Sequence, residues 1–309
     1  MDQHSAISSS NPVVEVTGLT RRFGGRQALS DVTLSVPPGC VYGLVGENGA
    51  GKTTLIRHLL GLLKAQQGSV RVFGMDPVQA PEKVLAEIGY LSEDRDLPDW
   101  MRVSELIRYT RAFYPGWDPV YAEELRERFG LDPLTRYRDL SRGQKAMAGL
   151  LCALAYRPRL LLLDEPSSGL DAIVRREILG AIIRTVADEG RTVIFSSHFL
   201  DEVERVGDRV AMIHNGKLVL EGTLDDVRQG HSVVIVAFDR RPERSPRIPG
   251  ALVMDSDGNE WTFLCNGRRS ETDAAVAQFG ARVVGERTAS LEDIFVARAG
   301  IRPSADKEA

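Results

Sequence analysis

The sequence predicts an α/β protein in two parts, a large core around a buried parallel sheet and a small α+β domain behind it. Three observations carry that prediction. Short apolar runs at 41–45, 160–163 and 193–198 each end in glycine or polar residues, as buried parallel strands do. A glycine-rich segment follows the first run and opens a helical pattern. Beyond about residue 229 the chain changes to short strand-like runs separated by turn residues.

The first run leads into Gly46-Glu47-Asn48-Gly49-Ala50-Gly51-Lys52-Thr53, which fits the phosphate-binding pattern of a P-loop. Its glycines let the backbone curl so that N–H groups point inward at phosphate oxygens. A helix starting near Gly51 and running through Thr54, Leu55, Ile56, Leu59 and Leu60 turns its N-terminal dipole toward the anion. Lys52 is placed to reach the β- and γ-phosphates, the Thr53 hydroxyl to ligate Mg²⁺, and Thr54 to contact the phosphates beside it. The core is therefore a P-loop NTPase core, and its ligand is ATP or GTP.

The second run, Leu160-Leu161-Leu162-Leu163, ends in Asp164 and Glu165. A carboxylate at the C-terminal end of a strand beside a P-loop is where Mg²⁺ needs a ligand. Glu165 is then placed to orient the attacking water. The alternative is an acidic turn capping the next helix, with Pro166 as punctuation, and the P-loop upstream favours the metal. The third run ends in His198, at the edge where ligands bind in open α/β sheets.

A further motif, Leu140-Ser141-Arg142-Gly143-Gln144, stands just ahead of a helix. With it, the chain resembles the nucleotide-binding subunit of an ABC transporter, its motifs in the family's order across residues 13 to about 229. Residues 46–54 match Walker A, 140–144 the signature, 160–165 Walker B, Ser168-Gly169-Leu170-Asp171 the D-loop, and His198 the switch histidine. The resemblance implies ATP and Mg²⁺ as ligands. It implies ATP hydrolysis between one chain's P-loop and the signature of a second nucleotide-binding subunit, self or relative. Ser141, Gly143 and Gln144 would face the partner's γ-phosphate, and Asp171 would bridge the two subunits as well as cap the helix from Ala172. It also implies separate transmembrane permease subunits and a peripheral place at the cytoplasmic face of the membrane. Ser290-Leu291-Glu292-Asp293-Ile294-Phe295 and the overall layout resemble the ATPase components of bacterial exporters.

Two positions depart from the family pattern. Arg142 replaces the first signature glycine, either adding a cation to the phosphates or pointing outward to a carboxylate. Glu93 stands where relatives often carry the glutamine that contacts Mg²⁺ and water. The aromatic that stacks on adenine would be Phe23.

Composition agrees with a soluble intracellular subunit. The chain has 309 residues, 43% of them hydrophobic, ample for a large core and a smaller domain. No apolar run approaches the ~18–20 residues that span a bilayer. The run 146–156 reads as the buried helix behind the signature. Cys40, Cys152 and Cys265 lack metal-ligand spacing. A formal charge of −4 gives no basic footprint for nucleic acid.

The expected organisation is a flexible tail at 1–12 and an ATP-binding domain at 13–229. Within that domain, 13–36 and 70–73 form an antiparallel β-subdomain and about 94–158 a helical subdomain. An α+β domain at 230–300 and a second tail at 301–309 follow. Trp100, Met101 and Tyr114 are candidates to line a docking groove for the membrane subunit. Two alternatives stand beside the transporter: a soluble ABC-type ATPase acting on nucleic acid or ribosomes, and a nucleotide-binding regulatory switch.

Overall fold

The computed structural model describes residues 11–299 apart from 96, 188–189, 241, 243–245, 247, 249 and 267–268. Most of both expected tails lies outside the described residues. The contacts divide the chain between Glu221 and Gly222 into two compact units. That is a few residues ahead of the boundary read from the sequence.

In the first unit, β1 (Val14–Phe23) pairs antiparallel with β2 (Arg26–Val36) and with β4 (Gln67–Val72), in the order β2-β1-β4. Buried and exposed residues alternate along them, so one face is apolar. Between β2 and β4 come β3 (Val41–Val45) and α1 (Lys52–Leu59).

The remaining strands of this unit are β5 (Ile88–Leu91), β6 (Leu160–Leu163), β7 (Thr192–Ser197), β8 (Arg209–His214) and β9 (Lys217–Thr223). With β3 they form one sheet in the order β5-β6-β7-β3-β8-β9, and the pairs from β5 to β8 are parallel. Every residue of β3, β6 and β7 is buried, which explains their predominantly apolar sequences, with the Ser196-Ser197 end of β7 polar. β9 follows β8 through Asn215-Gly216, both at positive φ, the pairing a tight two-residue turn requires. Short helices α2 (Pro81–Leu85) and α7 (Leu200–Val206) flank β5 and β8 in sequence.

One core joins the two sheets. Leu55, Ile56 and Leu59 of α1 pack with Val14, Leu19 and Leu29 of the antiparallel sheet and with Tyr42, Leu44, Leu162 and Ile194 of the parallel one. The P-loop helix is thereby fixed from both sides.

Three helices make the helical subdomain: α3 (Val103–Arg111), α4 (Pro119–Arg128) and α5 (Arg142–Leu154). α4 starts on an Asp118 cap with Pro119 at its first position. α5 begins earlier than the 146–156 run suggested, because Ser141 and Gln144 form a capping box: each side chain accepts the other's backbone N–H, at 3.2 and 3.0 Å. The long helix α6 (Ala172–Ala187) follows β6, capped by Asp171 Oδ1, which accepts from Ile173 N and Val174 N.

The second unit contains α8 (Leu224–Gln229), β10 (His231–Phe238), β11 (Ala251–Asp257), β12 (Glu260–Asn266), α9 (Arg269–Gln278), β13 (Ala281–Thr288) and α10 (Leu291–Ala299). Its antiparallel strands run β11-β12-β10-β13. Val234, Val236, Trp261, Phe263, Cys265 and Val276 form its core. Among the described residues, no helix is long and apolar enough to cross a membrane.

Candidate active site

The parallel sheet positions the site. β5, β6, β7 and β3 are neighbours running the same way, so their C-terminal ends share one edge. Glu93 follows β5, Asp164 and Glu165 follow β6, His198 follows β7, and the P-loop follows β3. A cavity of about 580 Å³ opens there, with Asn48, Gly49, Gly51, Lys52, Thr53 and Thr54 on its P-loop wall. Phe23, Arg26, Ala28, Glu93 and Glu165 complete it. Gly51 must be glycine: its φ is 118°, and a Cβ there would meet the Ala28 carbonyl oxygen at 2.6 Å.

Lys52 is buried against the loop it belongs to. Its Nζ donates to the carbonyls of Gly46 (2.6 Å) and Glu47 (3.2 Å) and lies 2.9 Å from Glu165 Oε1. The other oxygen of Glu165, Oε2, lies 2.8 Å from His198 Nδ1. An ionised carboxylate only accepts, so Nδ1 carries the proton in this contact and Nε2 is the imidazole's remaining polar atom. Glu165 is in left-handed backbone at φ 47°, which costs on the order of 1 kcal/mol or more for a residue with a side chain. Its N–H donates to Ser196 Oγ at 2.8 Å.

The same Ser196 hydroxyl donates to Asp164 Oδ1 at 2.7 Å, and Thr53 Oγ1 donates to that oxygen at 3.2 Å. Burial raises the Asp164 carboxyl above its usual range, partly offset by these two hydroxyls. Thr53 and Glu93 line the cavity and Asp164 lies buried behind the Thr53 hydroxyl, together a hard-oxygen donor set that fits Mg²⁺. The cation would supply the counter-charge that burial makes Asp164 need.

Phe23, at the end of β1, is 45% exposed and reaches the cavity, with the Arg21 guanidinium 4.6 Å from its ring centroid. The signature residues lie elsewhere. None of Ser141, Arg142, Gly143 and Gln144 lines the cavity, and neither does Asp171. Gly143 is packed closely on α6, where a Cβ would meet Val174 Cγ2 at 2.9 Å. Arg142 lies over Gly169, so that a side chain at 169 would collide with its guanidinium. Glu47 lies on the rim, 56% exposed, with a carboxylate oxygen 3.8 Å from His214 Nδ1. Gly46 and Ala50 lie beneath the loop. Trp100 is 66% exposed, whereas Tyr114 stacks on Tyr156 at 3.7 Å over a separate hollow of about 300 Å³.

Three contributors escaped the sequence reading. Ser196 ties Asp164 to Glu165, and its only signal was the polar end of an apolar strand. Arg26 donates from Nη2 to the Gly49 carbonyl at 3.1 Å, bringing a cation from the β1–β2 hairpin to the cavity wall. Arg95 is buried and bonds to carbonyls beyond Glu165. No local pattern announces either arginine.

The parallel sheet, the P-loop and the buried Asp164–Glu165 pair define a P-loop nucleoside triphosphatase. The ABC transporter family profile matches residues 29–168. The chain is 30% identical over 288 residues to the ABC transporter ATP-binding protein YtrB of Bacillus subtilis, covering 93% of this chain and 98% of that one. It is 30% identical over 312 residues to the daunorubicin/doxorubicin resistance ATP-binding protein DrrA of Streptomyces peucetius, covering 95% and 94%. A solved ATP-binding subunit of an ABC transporter superposes with a TM-score of 0.64 at 30% identity, over 70% of this chain and 92% of that one. The chain belongs to the ABC transporter ATP-binding family. It is an ATPase subunit, and its ATP hydrolysis powers transport.

Proposed function

We propose that this chain is the motor of an exporter. In this reading it pairs head to tail with a second copy or a close relative around two ATP molecules and drives separate permease subunits from the cytoplasmic face of the membrane. The observation that carries the pairing is the one-sided cavity. Its wall holds Lys52, Thr53, Glu93 and Glu165, while Ser141 and Gln144 are exposed at the capped N-terminus of α5, outside it. The positive end of a helix dipole suits an anion, and a second chain's γ-phosphate is the anion that fits. Export is supported by the resistance function in the name of the Streptomyces relative.

In the closed pair, a water held by Glu165 attacks the γ-phosphorus in line, the bond to the β–γ bridging oxygen breaks, and ADP and phosphate leave. Lys52 and the loop's N–H groups stabilise the charge on the transferring group. The phosphate competes with Glu165 for the Lys52 ammonium, freeing Oε1 to accept from the water. As an imidazolium, His198 would donate from Nδ1 to Glu165 and from Nε2 to the γ-phosphate. Mg²⁺, held by Thr53, Asp164 and Glu93, would neutralise phosphate oxygens. The exposed aromatics Trp100, Tyr109 and Phe113 of the helical subdomain are the surface offered to the permease.

The test is a pull-down of the tagged chain from detergent-solubilised native membranes, with and without ATP. A polytopic membrane protein in near-equal amount is the expected companion. Nucleic acid or ribosomes in its place would end the exporter reading while leaving the ATPase standing.

A further inference from the structure

The turn after β6 holds the catalytic carboxylate, and its anchor comes from a distant segment. Beyond β5 the chain runs Ser92-Glu93-Asp94-Arg95. Arg95 is 7% exposed, and its Nη2 donates to the carbonyls of Pro166 (3.1 Å) and Ser168 (3.0 Å). Ser168 N donates to the Glu165 carbonyl at 3.1 Å, so the turn is closed by its own backbone and fastened from outside by the guanidinium. Arg95's carbonyl accepts from the Tyr137 hydroxyl at 2.6 Å, tying the anchor to the chain just ahead of the signature. Arg142, within the signature, covers Gly169 of the same turn.

This arrangement is unfavourable for stability taken alone. A guanidinium is buried, its Nε has no hydrogen-bond partner among the described residues, and a second guanidinium stands near it. What the arrangement secures is place. Glu165 sits one residue before the bonded Pro166 carbonyl, in left-handed backbone that an unsupported turn would relax.

We infer that Arg95 is a positioning residue for Glu165, holding the 165–168 turn so that the carboxylate stays at the γ-phosphate end of the cavity. The inference rests on the ATP-hydrolysis reading of the same site. Lys52 and Thr53 bind nucleotide from other elements, so the loss of Arg95 acts on turnover and spares affinity.

The experiment measures kcat, KM and ATP affinity for the full-length chain and for Arg95→Met and Arg95→Lys, each also with Glu165→Gln. Arg95→Met is expected to lower kcat about tenfold or more while ATP affinity changes less than about twofold. Arg95→Lys falls between, because an ammonium keeps the charge and the donors but its shorter side chain reaches less far toward the two carbonyls that Nη2 serves. In the Glu165→Gln background the Arg95 substitutions change the residual rate less than about twofold, since their target is gone. Wild-type kcat in Arg95→Met, a loss confined to KM, or the same loss in both backgrounds overturns the inference. Should Arg95→Met fail to fold, Arg95→Lys carries the same readouts. A wild-type chain that turns over no ATP with Mg²⁺ overturns the ATPase reading, and this inference with it.

Discussion

The two compact units bury polar groups for different ends. The first unit encloses ionisable side chains, among them Lys52, Asp164 and Glu165, at one edge of its parallel sheet. The second buries His231, whose Nδ1 lies 2.8 Å from the Val227 carbonyl and whose Nε2 lies 3.0 Å from an Arg298 guanidinium nitrogen. A guanidinium can only donate, so Nε2 accepts and the ring is neutral, in keeping with burial lowering its pKa. Buried charge is costly unless something compensates it. The first unit accepts that cost where a triphosphate and a cation would meet it, and in the second the buried histidine is neutral. The candidate catalytic residues lie in the first unit; the second is organised around an apolar core and helix caps.

Substitutions in each unit test this contrast. Glu165→Gln should lower the rate of phosphate release about 10²–10⁴-fold, the range for losing a positioned base, while ATP still binds. Near-wild-type turnover would remove Glu165 from the chemistry. Phe263→Ala in the second unit should cost that unit about 3–5 kcal/mol, read as faster hydrogen exchange over 251–266. ATP affinity at Lys52 should be unchanged, and a parallel loss of affinity would show that the units share their stability.

Asp164→Asn should weaken Mg²⁺ binding roughly 10–100-fold, measured as the loss of Mg²⁺-dependent thermal stabilisation with ATP. Without metal the sign reverses. Burial raises the Asp164 carboxyl, so its charge opposes folding above its folded pKa, and the amide variant should melt no lower than wild type. Chelating Mg²⁺ from the wild type should mimic the first effect and not the second.

The smallest expected effect lies at the start of α10. Asp293 accepts from Arg287 and from the Ser290 backbone N–H and hydroxyl, and the Ser290 hydroxyl accepts from Asp293 N. The Arg287 hydrogen bond, helped by those from Ser290, holds the Asp293 carboxyl down to about 2. Its contribution is therefore complete above the ordinary carboxylate range and is lost as pH falls through about 2. Asp293→Asn should cost about 1 kcal/mol at neutral pH, and the difference should vanish near pH 2 in denaturation measurements.

The contrast also accounts for what could be read beforehand. Asp164, Glu165 and His198 are legible because each follows an apolar strand, and parallel strands deliver their ends to one edge; Lys52 is legible from the P-loop pattern after β3. The strands and helices of the second unit are legible within a few residues because Asp257, Gly258 and similar turn residues punctuate them. Strand β5 and helices α2 and α7 were missed because they are too short to show a period. Asn215-Gly216 marked the β8–β9 turn and went unused. The contacts of Arg26, Arg95 and Arg142 were beyond reach for another reason. Each joins segments far apart in sequence, and a long cationic side chain says nothing of which carbonyl or glycine it will find.

In the proposed pair, one chain supplies half of each phosphate site. The most direct test of that pairing is the mass of the purified Glu165→Gln chain by light scattering, with and without Mg·ATP. ATP should double the mass, and adding Ser141→Ala should weaken the doubling without weakening nucleotide binding. A mass that stays at one chain while every P-loop holds ATP would contradict the pairing.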